Sequence, residues 1–137
     1  MKKTAECVSP GHPDKRCDFI ADSILDAYCA VDPESRVAVE VMGGHNLITI
    51  NGEVTSNAKP DVSAIVKHIV GNEYKVITNV VAQSREIAQG VDTGGAGDQG
   101  IMKGYATSET KTFVPLEYSL ARDLCQKIFE VYPHDGK

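Results

Sequence analysis

Apolar residues recur at Cys17, Ile20, Ile24, Tyr28 and Val31, a spacing of three to four that predicts an amphipathic helix over 14–31. Pro13 suits its first turn, where a missing N–H costs nothing, and Pro33 stops it by disfavouring helical geometry at Asp32. The period then changes to two. Val37, Val39 and Val41 alternate with Arg36, Ala38 and Glu40, which predicts a half-buried strand. Gly43-Gly44-His45-Asn46 reads as a turn, and Leu47 to Val54 as a returning strand, with Ile48, Ile50 and Val54 on one face and Thr49, Asn51 and Glu53 on the other. Helical spacing resumes after Pro60, where Val62, Ile65, Val66 and Ile69 form a stripe closed by Gly71, so a helix is expected over 61–70. Tyr74 to Ala82 is rich in Val, Ile and Thr and reads as a third strand. Periodicity lapses from Gln83 to Gly104, a glycine-rich stretch expected to be a long mobile loop. Leu116, Leu120, Leu124 and Ile128 then mark the buried face of a last helix over 115–131. The pattern predicts an α+β fold: a mostly antiparallel sheet of three strands backed by helices.

Composition narrows the function classes. A chain of 137 residues with 42% apolar and 24% charged residues is ordinary for one soluble domain. The net charge of −5, with scattered Lys and Arg, gives no nucleic-acid footprint. The apolar runs are too short for a membrane span, and Met1-Lys2-Lys3 does not open a signal peptide, so a cytoplasmic protein is expected. Cys7, Cys17, Cys29 and Cys125 contain no Cys-x-x-Cys pair, which argues against zinc and for reduced thiols; Cys17 and Cys125 read as core residues. Gly94 to Gly100 has the wrong spacing, and no helical pattern behind it, for a dinucleotide fingerprint.

The candidate chemistry sits first at Gly11-His12-Pro13-Asp14-Lys15, where a helix begins. An imidazole, a carboxylate and an ammonium stand beside the free N–H groups of that helix end, a setting that suits phosphate and hard cations. Asp in a first helical turn is equally a routine dipole partner. Glu40 and Glu53 add two carboxylates on the polar face of the hairpin, where solvated strands often carry Glu.

GHPDK at 11–15, RVAVE at 36–40, NGEVT at 51–55, AQGVD at 88–92 and GAGDQGIMKGYATSET at 95–110 together resemble the S-adenosylmethionine synthetase (methionine adenosyltransferase) family, bacterial and eukaryotic type. The resemblance runs from about Glu6 to Lys137, covers roughly the first third of such an enzyme, and implies that residues 1–137 are the N-terminal part of a longer, three-unit protein. Pro10 and Cys7 stand where an acidic and a small polar residue are commoner, and the loop before Asp98 and the stretch 110–135 are shorter than in the family.

The implied reaction is attack of methionine sulfur on ATP C5′ with release of tripolyphosphate, then its hydrolysis to phosphate and pyrophosphate. By their match to the family, His12 would be catalytic and touch ATP; Asp135, Gly136 and Lys137 would also bind ATP; Glu53, Gln83 and Asp98 would hold methionine. Asp14 would ligate one of two Mg²⁺ ions and Glu40 a K⁺. The family further implies a homodimer or homotetramer with the active site between subunits, and an isolated fragment without activity. Two rival classes remain: a non-enzymatic nucleotide- or metal-binding module, and a phosphohydrolase built on His12 and Asp14.

Overall fold

The computed structural model describes residues 2–97 and 99–133, which fall into two compact units, Arg16–Gln99 and Met1–Lys15 with Gly100–Lys137. The elements run α1 (Pro13–Cys29), β1 (Arg36–Gly44), β2 (Leu47–Thr55), α2 (Val62–Val70), β3 (Lys75–Ala82), α3 (Arg85–Asp92) and α4 (Leu116–Val131).

The Arg16–Gln99 unit is an α+β layer with β2 at the centre of its sheet. β1 and β2 pair antiparallel, Val39 opposite Gly52 and Glu40 opposite Asn51. β3 joins the other edge of β2 in parallel, Ile48 beside Val76 and Glu53 beside Val81, so the sheet is mixed where the pattern suggested a mostly antiparallel one. The reason lies in the connection: α2 carries the chain back along the sheet, and a crossover of that length returns a strand in the same direction. One face is apolar. Ile48 and Ile50 from β2 pack with Ile20, Ile24 and Tyr28 of α1 and with Val62, Val66 and Val70 of α2, with Val37, Val39, Val41, Val76 and Val80 around them. Ile20, Ile24, Ile50 and Val66 are sealed from solvent, each burial stabilising by about 1.5–3 kcal/mol.

Val31, assigned to this stripe by spacing, is 72% exposed, because α1 ends at Cys29 before its next turn. The chain after α1 is fastened by Asp32. Its carboxylate accepts from the Asn57 backbone N–H at 2.8 Å and the Glu34 N–H at 3.2 Å, and Ser56 Oγ and Asn57 Nδ2 add further donors. The Asn57 N–H above all holds the Asp32 carboxyl below the usual carboxylate range, against a smaller opposing effect of desolvation. A carboxyl depressed in the folded chain stabilises fully above its unfolded pKa near 3.8 and loses that contribution as pH falls through the lower folded value. Asp32→Asn is therefore expected to lower stability at neutral pH, with the gap to the parent chain closing as pH falls below the unfolded value near 3.8, as read by urea unfolding.

The hairpin turn is tighter than the sequence suggests. Gly43 and Gly44 belong to β1, and the turn is His45-Asn46 alone, with φ of 49° and 59°. Two left-handed central residues make a type I′ hairpin, which glycine fits best at its second position. Asn46→Gly is expected to raise stability by about 0.5–1 kcal/mol in the same unfolding measurement. Gly43 serves space instead: a Cβ there would come 2.6 Å from Ile48 Cδ1 and 3.2 Å from Cys17 Sγ.

The expected loop from 83 to 104 is corrected in part. Arg85–Asp92 is a helix, opened by the Ala88 N–H to Ser84 carbonyl bond at 3.0 Å; its Glu, Ala and Gln residues favour helix even though its apolar stripe is thin. Described residues from Gly95 to Gly104 have no regular structure.

In the second unit, α4 forms where expected, but none of its residues is buried. Leu116, Leu120, Leu124 and Ile128, read from spacing as its buried face, are 48%, 60%, 64% and 50% exposed. No strand occurs among the described residues of this unit to take up the stripe that the periodicity marks. Glu109 caps the helix start: its Oε2 accepts the Leu116 N–H at 3.3 Å while its Oε1 faces Lys3 Nζ at 3.4 Å, and these partners, the N–H first, hold its carboxyl below the usual range. Cys125 is half-buried, and desolvation, with the Cys7 thiol beside it, pushes its pKa up, as suits a packing thiol more than a nucleophile.

Candidate functional site

Two clusters carry the residues singled out by sequence. The first is the entrance to α1. Ser9 shapes the approach, its carbonyl accepting the His12 N–H at 2.9 Å and its Oγ the Gly11 N–H at 3.2 Å. The chain then turns so that His12 caps the helix: the Asp14 N–H donates to His12 Nδ1 at 3.1 Å. An Nδ1 that accepts is unprotonated, so the neutral ring carries its proton on Nε2. The Asp14 carboxylate lies 3.8 Å from the same Nδ1, but an ion pair there would need Nδ1 protonated and would cost the shorter capping bond. His12 thus keeps Nε2–H as a donor, and Asp14, 86% exposed, presents its carboxylate to solvent. Both groups face where a helix N-terminus already favours anions.

The second cluster lies on the sheet face opposite the core. Register puts Arg36, Ala38, Glu40 and Met42 of β1, Asn51, Glu53 and Thr55 of β2, and Ile77, Asn79 and Val81 of β3 on one face. Glu40 and Glu53 therefore share a face, as alternation indicated, with Glu40 exposed and Glu53 half-buried. Glu53 stands beside Val81, and Gln83 follows on the same side, so the parallel β2–β3 pairing brings Glu53 and Gln83 to one end of the sheet. Glu53 Oε2 accepts the Ser84 N–H at 3.4 Å. Gln83 Oε1 accepts from Arg36 Nε at 3.3 Å and Thr55 Oγ1 at 3.4 Å. Arg36 also reaches α3, its NH1 2.9 Å from Asp92 Oδ1.

Arg36 and Asp92 were not marked by sequence. Alternation labelled Arg36 as solvated, and Asp92 closed the AQGVD block without a role of its own. Asp98, Asp135, Gly136 and Lys137 lie outside the described residues.

Among the described residues, no three His, Cys, Asp or Glu side chains converge on a metal position. The donor chemistry nonetheless fits hard cations. Mg²⁺ commonly takes one or two carboxylates and completes its shell with water and phosphate oxygens, which matches a lone exposed Asp14. Glu40 likewise offers an exposed carboxylate. A separate groove of about 540 Å³ between α1 and α2, lined by Phe19, Ser23, Ala64, Ile65, His68 and Ile69, contains none of the candidate residues. No helix among the described residues is long and apolar enough to cross a membrane.

The family model for the N-terminal domain of S-adenosylmethionine synthetase matches residues 1–92. The chain belongs to the S-adenosylmethionine synthetase family. The model for the central domain of the same family matches residues 93–136. An S-adenosylmethionine synthase of Mycoplasmopsis pulmonis is 48% identical over 134 residues, covering 90% of this chain and 36% of that protein. S-adenosylmethionine synthase 1 of Frankia casuarinae is 42% identical over 160 residues, covering 97% of this chain and 40% of its own length. The structure of an unusual S-adenosylmethionine synthetase from Campylobacter jejuni superposes with a TM-score of 0.81 at 36% identity, covering 96% of this chain and 38% of that one. The chain thus spans between a third and two-fifths of the length of these synthetases. The 160-residue alignment is longer than the 137 residues of this chain, in keeping with shortened connections here.

Proposed function

We propose that this chain forms the opening part of an S-adenosylmethionine synthetase, with the α1 entrance holding the triphosphate of ATP and the Glu53–Gln83 end of the sheet holding methionine. The observation that carries the reading is the pairing at that sheet end. A carboxylate and an amide whose oxygen is already occupied lie on one face at the same end of the sheet, one an acceptor and the other left with its NH₂ donors. An amino-acid zwitterion asks for that pair, its ammonium on Glu53 and its carboxylate on Gln83.

The demands of the reaction agree with the residues. A thioether is a neutral nucleophile with no proton to lose, so no general base is needed at the sulfur. The barrier lies in charge gathering on the departing tripolyphosphate, where positioned donors act most strongly. His12 Nε2–H would donate to the ester oxygen that becomes that charge, a reading supported by Nδ1 being taken up as the acceptor of the Asp14 N–H. Enzymes of this family use metal ions. Asp14 would hold Mg²⁺ and Glu40 K⁺, and when bound these cations neutralise phosphate charge and stiffen the site. Asp98 would join Glu53 and Gln83 around methionine, and Asp135, Gly136 and Lys137 would add to the ATP side. The complete enzyme is a cytoplasmic homodimer or homotetramer on this reading, its active site shared between subunits.

Calorimetry of methionine against the 137-residue chain, with and without a non-hydrolysable ATP analogue and Mg²⁺, tests it. Methionine binding strengthened by the analogue is the expected result, with no S-adenosylmethionine formed from ATP and radiolabelled methionine by this chain alone. Nucleotide binding indifferent to methionine would instead point to a non-enzymatic module. Splitting of ATP or tripolyphosphate without methionine would point to a phosphohydrolase.

A further inference from the structure

We propose that Arg36 is a positioning residue: its guanidinium fixes the side-chain amide of Gln83 with the oxygen inward and the NH₂ outward, and so sets which end of an amino acid that subsite accepts. This rests on the amino-acid role of Gln83 given above and adds to it the residue that orients the amide.

A glutamine amide is nearly symmetric in shape but opposite in chemistry at its two ends, with two donors on nitrogen and two acceptor sites on oxygen. Left free, it turns to suit whatever approaches and discriminates poorly between a carboxylate and an ammonium. Here Oε1 takes two donors, Arg36 Nε at 3.3 Å and Thr55 Oγ1 at 3.4 Å. The guanidinium has no acceptor to offer, so turning the amide over would set NH₂ against N–H. Arg36 is itself anchored, because NH1 lies 2.9 Å from Asp92 Oδ1 at the end of α3. The two contacts leave from different nitrogens of one planar group, an arrangement that a lysine ammonium does not reproduce. The side chain is one-third exposed, 33%, which leaves its orientation under the control of these partners more than of bulk water. One arginine thus joins β1, the residue following β3, and α3, and among the described residues leaves the donor face of Gln83 open at the end of the sheet that carries the acceptor Glu53.

The test is ¹⁵N NMR of the full 137-residue chain, following the Gln83 side-chain NH₂ pair, assigned by its disappearance in Gln83→Glu. In the parent chain this pair should stand apart from that of Gln89, which is exposed. In Arg36→Met it should move to the Gln89 position. Arg36→Lys, which keeps the charge and the stem, should behave likewise and serves if the methionine variant does not fold. Gln83 signals unmoved in a folded Arg36 variant would overturn the proposal. Added methionine separates this outcome from the functional reading. Methionine should shift the Gln83 pair in the parent chain and bind about tenfold more weakly to Arg36→Lys. If methionine leaves Gln83 untouched while the Arg36 dependence holds, the orienting role stands and the methionine subsite falls. Equal methionine affinity in parent and variant would reduce Arg36 to a structural ion-pair partner.

Discussion

Gly52→Ala should unfold or nearly unfold the sheet-bearing unit, lowering stability by about 3 kcal/mol or more. Gly52 lies on the central strand directly opposite Val39, and a Cβ there would overlap the Ala38 carbonyl oxygen and come 2.8 Å from Val39 Cα. These are backbone atoms of a paired strand, so no rotamer change relieves the overlap, and only a break in the β1–β2 ladder does. Glycine inside a strand commonly marks this kind of close backbone approach. Urea unfolding is the measurement, and loss of the cooperative transition at room temperature the expected result. Because Glu53 is the next residue, the same change should also displace the carboxylate at the proposed methionine end of the sheet. A Gly52→Ala chain within 1 kcal/mol of the parent would mean that β1 and β2 do not approach as described.

Glu53→Gln carries the second large effect, on binding instead of folding. The substitution keeps length, shape and an oxygen able to accept the Ser84 N–H, now 3.4 Å from Oε2, and removes only the charge. Stability should stay within about 0.5 kcal/mol, since no ion pair to Glu53 occurs among the described residues. Methionine affinity should fall by roughly 30-fold, about 2 kcal/mol, the usual cost of removing one partner from a charged, partly desolvated contact. Calorimetry reads both the loss and its specificity. An affinity within twofold of the parent would remove Glu53 from the ammonium end of the ligand.

How much of this was legible beforehand differs from element to element. α1, α2, β3 and α4 appear within about two residues of where the sequence placed them, the helices because each carries four or more apolar residues at helical spacing and β3 because Val, Ile and Thr crowd it, while the hairpin forms as expected with β1 running on to Gly44. Strand direction was not legible: alternation of Val and Ile is the same whichever way β3 runs, and only the crossover through α2 decides it. α3 escaped because Gly90 interrupts its short pattern, leaving Ala88 and Gln89 to favour helix by propensity alone. The stripe on α4 was legible as amphipathic but its exposure was not, since period reports which face of a helix is apolar and not what packs against it.

The candidate site divides in the same way. His12 and Asp14 could be placed at a helix entrance from Pro13, but the tautomer of His12 needed the capping bond from the Asp14 N–H. Glu40 and Glu53 could be put on one face by alternation. That Gln83 joins Glu53 followed from the parallel register, and the part of Arg36 from a contact 47 positions apart in sequence, which no local pattern encodes.

The division of labour between the two clusters is the centre of this account, and one NMR experiment addresses it: backbone amide shifts of the labelled chain titrated first with Mg²⁺-tripolyphosphate and then, separately, with methionine. Tripolyphosphate should move the amides of Gly11, His12, Asp14 and Lys15 and leave those of Glu53, Gln83 and Ser84 in place, while methionine does the reverse. Tripolyphosphate shifts centred on the sheet end, or methionine shifts centred on the start of α1, would contradict it.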